Sequence, residues 1–211
     1  MRIALVTPAP QGSRSGNRHT ALRWAAFLRA AGHRVDVTNA WQGEPADLLL
    51  ALHALRSHAS IRAFRAAHPA RPLVLALTGT DVYRDIQVDR AAQESLQMAD
   101  RFIVLQSGAS KELPPRFRPK TMVVIQSCSS LLRQAAVKRE FRICVLGHLR
   151  GEKDPLRAGL ALAHVPAASR IRVIQLGSAL DAGLGLAARS LQESESRYRW
   201  LESVPHARAL R

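Results

Sequence analysis

Phe141-Arg142-Ile143-Cys144-Val145-Leu146 runs straight into Gly147-His148-Leu149-Arg150-Gly151-Glu152-Lys153-Asp154-Pro155. The first six residues are a short, β-prone, apolar run that reads as a buried strand, and the nine after them form a basic glycine loop. An alanine- and leucine-rich stretch from about Pro155 to Ala163 then reads as a helix. A strand, a glycine turn, an arginine and a lysine three apart, and a helix start are how an α/β protein holds a diphosphate. Arg150 can fork onto two phosphate oxygens, and Lys153 adds a point charge. Cations ahead of a helix N-terminus oppose its dipole unless an anion is present. The same charges also suit a solvated helix start.

Upstream of this loop an α/β pattern is already complete. Apolar runs at Ile3–Val6, Val35–Val37, Leu48–Leu52, Leu73–Leu77, Phe102–Leu105 and Met122–Ile125 predict six strands. Helical periodicity predicts helices over Asn17–Ala31, stopped by Gly32, over Ser60–Ala67, stopped by Pro69, and over Gln93–Met98. The strands read as continuous apolar runs, which indicates a parallel sheet covered by helices on both faces. The fold class is therefore α/β, doubly wound and Rossmann-like. Residues 127–140 lose the pattern and read as a linker. Alternation resumes with strands at 141–146, 171–176 and 198–201, a helix near Leu184–Gln192, and a last helix from Pro205 to Arg211. The expected domains are 1–126 and a partial, also Rossmann-like, 141–211.

The chain has 211 residues, 47% hydrophobic and 22% charged, which is enough apolar surface for a real core. Its net charge is +15, almost all from arginine, and that sign favours anionic partners. The arginines are scattered through helices and loops, so a nucleic-acid partner is not expected. Cys128 and Cys144 have no metal or redox spacing, and Cys144 reads as a small core residue. Neither a secretion signal nor a membrane-length apolar stretch is legible, so a cytoplasmic protein with no membrane partner is expected.

Three loops leave carboxyl ends of strands, where open parallel sheets bind ligands. Besides 147–155 they are Gln11-Gly12-Ser13-Arg14-Ser15-Gly16-Asn17-Arg18-His19-Thr20 and Thr78-Gly79-Thr80-Asp81-Val82-Tyr83-Arg84-Asp85. The first is neither a Walker sequence nor Gly-x-Gly-x-x-Gly, so it does not indicate NAD. The second suits a polar ligand, or equally an Asx-type turn that caps the next helix. His53 ends the third strand and could face a ligand or serve structure. No His, Asp or Glu cluster has metal-ligand spacing, so no metal and no cofactor are expected.

Together these motifs resemble the GT-B glycosyltransferases of family 4, with Gly32–Thr38 like that family's second-strand entry and Leu77–Asp81 like its His-Gly-Thr-Asp loop. Thr7–Pro10, Gly16–Arg18, Ala21–Trp24, Ala51–Ala54, Ala76–Asp85 and Val145–Arg150 further resemble the selenosugar synthases of selenoneine biosynthesis, over nearly the whole chain. The resemblance implies a UDP-sugar donor (UDP-GlcNAc or UDP-glucose), selenophosphate as acceptor, and a C–Se product. It implies donor binding by Gly16, Asn17, Gly147, Arg150, Lys153 and Gly177, with Arg150 and Lys153 stabilising the leaving diphosphate. Acceptor binding falls to Arg14, Arg18, His53, Thr80, Asp81 and Arg84. Members of that family continue past the point matched by Ser203–Ala207 with a Glu-containing helix and a Gly-x-Pro segment, so a C-terminally shortened chain is expected. A thin sheet with an exposed edge would favour homo-oligomers. Two other readings stay open: a non-catalytic anion-binding remnant, and a nucleic-acid binder driven by charge.

Overall fold

The computed structural model describes residues 1–13, 15–128, 139–202 and 204–205. The chain divides into two compact units, Met1–Cys128 and Ser129–Arg211. In the first, strands β1 (Arg2–Val6), β2 (Arg34–Thr38), β3 (Leu48–Leu52), β4 (Leu73–Leu77), β5 (Arg101–Val104) and β6 (Thr121–Val123) form one sheet. Their order is β2-β1-β3-β4-β5-β6, and every pair is parallel. Helices α1 (Gly16–Ala30), α2 (His58–Ala67) and α4 (Arg90–Met98) cover it; α3 (Ile86–Val88) is a single turn.

Alternate residues of each central strand enter opposite cores, because successive side chains point to opposite faces. Ile3, Leu5, Leu50 and Leu52 pack with Ala21 and Ala25 of α1. Ala4, Val6, Leu49, Ala51, Leu73 and Leu75 pack with Phe64 of α2 and Leu96 of α4. The central strands are thus buried on both faces, as their unbroken apolar runs predict. Each fully buried Leu or Phe contributes roughly 1.5–3 kcal/mol. α1 ends at Gly32, whose φ of +87° suits glycine. α4 begins three residues before the apolar periodicity does. Asp89 is the reason: its carboxylate accepts from the N–H groups of Ala91 and Ala92.

The second unit holds β7 (Phe141–Leu146), β8 (Ile171–Leu176) and β9 (Tyr198–Leu201), parallel, in the order β7-β8-β9. α5 (Arg157–Leu160) and α6 (Ala182–Ser194) join a core with Ile143, Val145, Val173, Tyr198 and Trp200. That core lies on one face of the sheet, so the expectation of a buried β7 needs correction. Arg142, Cys144 and Leu146, which alternate with the core residues, are exposed. Cys144 is therefore not a core residue. Among the described residues β7 is also an edge strand, with β8 as its one neighbour.

The helix expected over 155–163 is likewise broken. A 3₁₀ turn covers Gly151–Lys153, Asp154 takes the left-handed conformation (φ 43°), and only four residues are α-helical before a second 3₁₀ turn, Ala161–His164. The left-handed Asp154 ends the first 3₁₀ turn, so the α-helix starts only at Arg157. α5 packs tightly at Gly159, where a Cβ would stand 2.6 Å from the Tyr198 ring. Behind it, the Arg197 guanidinium donates to the Leu162 and Pro166 carbonyls and to Glu195. Hydrogen bonds from Arg197 hold the Glu195 carboxyl down to about 2. Within the expected linker, residues 129–138 lie outside the described residues, as do 206–211 of the expected last helix.

Candidate functional site

In the first unit, the loops after β3 and β4 are tied into one structure by Asp81. Its carboxylate is fully buried and accepts from the backbone N–H groups of Thr78 (2.9 Å), Gly79 (2.8 Å) and Ala54 (3.0 Å). This is the turn-capping role that spacing alone leaves open for it. Asp81 itself starts a π-helical turn, Asp81–Asp85, that ends at a second buried carboxylate, Asp85. Arg84 is mostly exposed and pairs with Asp85 through its Nε at 2.9 Å.

His53 sits at the end of β3 with φ +76°, and its ring is buried. For a residue with a Cβ such backbone costs about 1–3 kcal/mol and persists only where the surroundings impose it. Nε2 lies 3.2 Å from the Thr80 hydroxyl and 3.8 Å from Asp85 Oδ2. Burial is the largest influence on the ring and lowers its pKa, outweighing the nearby Asp81 carboxylate. The structure thus brings His53, Thr80, Asp81 and Arg84 together. It adds Asp85 and Thr78, whose buried hydroxyl has no partner among the described residues. Sequence reasoning missed Asp85, although a carboxylate four residues after Asp81 is a legible signal.

The loop after β1 leads into α1. Ser15 caps the helix by accepting from the Arg18 N–H, and Ser13 accepts from Ser15. Gly16 is the first residue of the helix, with open space where a side chain would stand, and Asn17 and Arg18 complete a first turn that holds no acidic residue. Among the described residues no hydrogen bond or ion pair ties Gly16, Asn17 or Arg18 to the His53 cluster. Arg14 lies outside the described residues.

In the second unit, the loops after β7 and β8 are locked against each other. Gln175 donates to the Gly147 carbonyl (3.1 Å), the Ser178 N–H donates to His148 Nδ1 (3.1 Å), and Leu149 bridges to Ala179. Trp200 donates to the Gly177 carbonyl at 2.8 Å. Gly177 has φ +142°, and a Cβ there would lie 2.1 Å from the Gly147 oxygen. Only glycine allows this approach. Gly147 and Gly151 have nothing within 4 Å of a built Cβ, so there is open space beside their Cα atoms, although the Gly147 N–H donates to the Leu176 carbonyl. Arg150 and Lys153 follow in that loop, and among the described residues neither side chain has a hydrogen-bond or ion-pair partner. Gln175, His148 and Trp200 were not singled out from sequence, because their roles arise from cross-loop contacts. What results is a rigid, glycine-lined loop with two unneutralised cations, suited to a diphosphate.

Two open concavities of about 500 and 480 Å³ lie at the other end of the first sheet, beside the amino ends of β1 and β2. Arg2 and Arg34 line both, but neither contains a glycine loop that faces open backbone. Among the described residues, no group of three His, Cys, Asp or Glu is placed to hold a metal, and no helix is long and apolar enough to cross a membrane.

No protein-family model matches the chain, and no curated protein matches it in sequence. Solved structures do. The Anabaena protein HepE, in complex with UDP and glucose, superimposes with a TM-score of 0.66 at 15% identity, over 100% of this chain and 71% of that one. The fold is that of the GT-B glycosyltransferases. The lipopolysaccharide outer core galactosyltransferase WaaB is similar with a TM-score of 0.58 at 13% identity, over 100% of this chain and 70% of that one. An α-glucosyltransferase in complex with UDP and a 13-mer DNA gives 0.59 at 12% identity, over 100% and 68%.

Proposed function

We propose that the chain is a UDP-sugar-dependent glycosyltransferase. Its second unit would hold the donor diphosphate on Gly147, Arg150, Lys153 and Gly177. Its first unit would hold an anionic acceptor near Arg18 and Thr80. The observation that carries the reading is the pair of cations, Arg150 and Lys153, without a side-chain partner among the described residues, in a loop with open space beside Gly147 and Gly151. Neighbours of the same fold hold UDP, which supports it.

The finer reading takes selenophosphate as the acceptor and UDP-GlcNAc or UDP-glucose as the donor, and rests on the motif blocks described above. A selenium lone pair attacks the anomeric carbon, the C–Se bond forms, and the bond from that carbon to the diphosphate oxygen breaks. The bond's electron pair leaves with UDP, and the first product carries the phosphoryl group on selenium; water then cleaves the P–Se bond to give the selenosugar and inorganic phosphate. Selenophosphate is already anionic, so no general base has to activate it. The cations stabilise charge that grows on the diphosphate as the bond breaks, a kind of contribution typically worth several kcal/mol. The test is to incubate the purified chain with UDP-sugar and selenophosphate and to follow UDP and selenosugar by mass spectrometry. UDP and selenosugar in equal amounts are expected. UDP release with no selenium in the sugar product would remove the acceptor assignment, and no UDP release at saturating substrates would remove the transferase reading.

The charge of +15 favours one further reading, a nucleic-acid acceptor, since one neighbour of this fold is bound to DNA. It requires oligonucleotide affinity that falls steeply with salt.

A further inference from the structure

His53 has more constraints on it than a ligand contact needs. Its ring is 2% exposed, its backbone is left-handed, and both ring nitrogens have assigned neighbours. Nδ1 accepts the backbone N–H of Arg56 at 3.3 Å. A nitrogen that accepts carries no proton, so the neutral imidazole must carry its proton on Nε2. Asp85 enforces the same choice from the other side, because its carboxylate lies 3.8 Å from Nε2 and attracts a proton there. Nε2–H therefore donates to the Thr80 hydroxyl at 3.2 Å.

The consequence falls on Thr80. A hydroxyl has one proton to give and two lone pairs to receive. Its oxygen already receives from His53, and its proton has no acceptor among the described residues. Thr80 is half-buried at the mouth of the loop, next to Gly79, which has open space beside it. Asp81 fixes the loop's backbone, so the hydroxyl is held in place.

We propose that His53 is a positioning residue that, through its fixed tautomer, makes the Thr80 hydroxyl a dedicated hydrogen-bond donor to an oxyanion bound at the carboxyl ends of β3 and β4. His53 does not touch the ligand. The selectivity that follows is for groups whose oxygens only accept, such as a phosphate or its chalcogen analogues. The inference rests on reading the first unit as the acceptor-holding part of a glycosyltransferase, but its test does not depend on turnover.

The test uses the full chain labelled with ¹⁵N-histidine, with inorganic phosphate as the probe. Long-range ¹H–¹⁵N spectra at neutral pH should show His53 protonated on Nε2 and bare on Nδ1. Phosphate affinity should fall roughly tenfold in Thr80→Val, the scale of one hydrogen bond to a charged group, and stay near wild type in Thr80→Ser. His53→Gln, whose side-chain amide places an N–H near the Nε2 position, should retain more affinity than His53→Ala. The double variant His53→Ala/Thr80→Val should bind no worse than Thr80→Val. A His53 proton on Nδ1, or equal phosphate affinity in wild type and Thr80→Val, would overturn the proposal even if the His53 variants fail to fold. A wild type that shows the predicted tautomer and phosphate binding but never releases UDP would instead remove the transferase reading and leave this one standing.

Discussion

Gly177→Ala is the most informative perturbation of the second unit. The new methyl would sit 2.1 Å from the Gly147 oxygen, 2.5 Å from its carbonyl carbon and 2.8 Å from the His148 nitrogen. All three are backbone atoms, so no side chain can swing away. Ordinary contact begins near 3.4 Å, and the loop must move by more than 1 Å to restore it. The φ of +142° adds backbone strain of about 1–3 kcal/mol. Overpacking adds about 1–3 kcal/mol more. A loss of about 2–6 kcal/mol is a large share of a domain's stability. For a unit of this size it lowers the melting temperature by roughly 10 °C or more. The displaced loop carries Arg150 and Lys153, so UDP affinity should fall together with stability. Trp200 is the second unit's one tryptophan in the sequence and donates to Gly177, so its fluorescence reports both the melt and a UDP titration. Gly147→Ala is the control: its Cβ meets open space and its φ is not positive, so the fold should lose under about 0.5 kcal/mol. Gly177→Ala with wild-type melting and UDP affinity would refute the claim that this loop pair depends on backbone contact.

Other outcomes can be measured in the same way. Arg150→Ala and Lys153→Ala should each weaken UDP binding about tenfold by calorimetry, the scale of one charged hydrogen bond, with melting unchanged because neither side chain holds the fold. Asp81→Ala should destabilise the first unit by about 3 kcal/mol or more in urea, since three backbone N–H groups lose a charged acceptor. Glu195 is held at about 2, below its unfolded value, so its contribution to stability is present above pH 4.5 and is lost as pH falls toward 2; Glu195→Gln should flatten that part of a melting-versus-pH curve. His53 also has a lowered pKa, so the stability it contributes by staying neutral is present above about pH 6.5 and declines below it, and His53→Gln should remove that inflection.

The first sheet was legible because the residues of β1, β3 and β4 are apolar on both faces, and that pattern has one structural solution. In the second unit the same inference failed at β7. Phe141–Leu146 carries Arg142, which alternates with the core residues, but a run of six residues does not record how many helices are available to cover each face. The expected helix over 155–163 broke down for want of length: only Arg157–Leu160 is α-helical, and the alanine-rich composition reads equally as α or 3₁₀. The candidate site was legible as loops and not as contacts. Thr80 and Asp81 stood out by type, yet only the fold shows that Asp81 is occupied by backbone while the Thr80 hydroxyl meets His53 alone among the described residues. His53's positive φ leaves little sequence signal, because most histidines, although enriched there over other residues, still keep φ negative.

The strand order of the first sheet also bears on how the chain is made. After β1 and β2 pair, each later strand adds to one growing edge: β3 beside β1, then β4, β5 and β6 in turn. Among the described residues, no strand of this sheet has to be inserted between two that are already paired, and none waits for a partner encoded after residue 123. A ribosome delivering the chain from its N-terminus can therefore lay the sheet down strand by strand in the order of translation. The long-range parallel pairings that ordinarily slow folding are each met by an edge already in place.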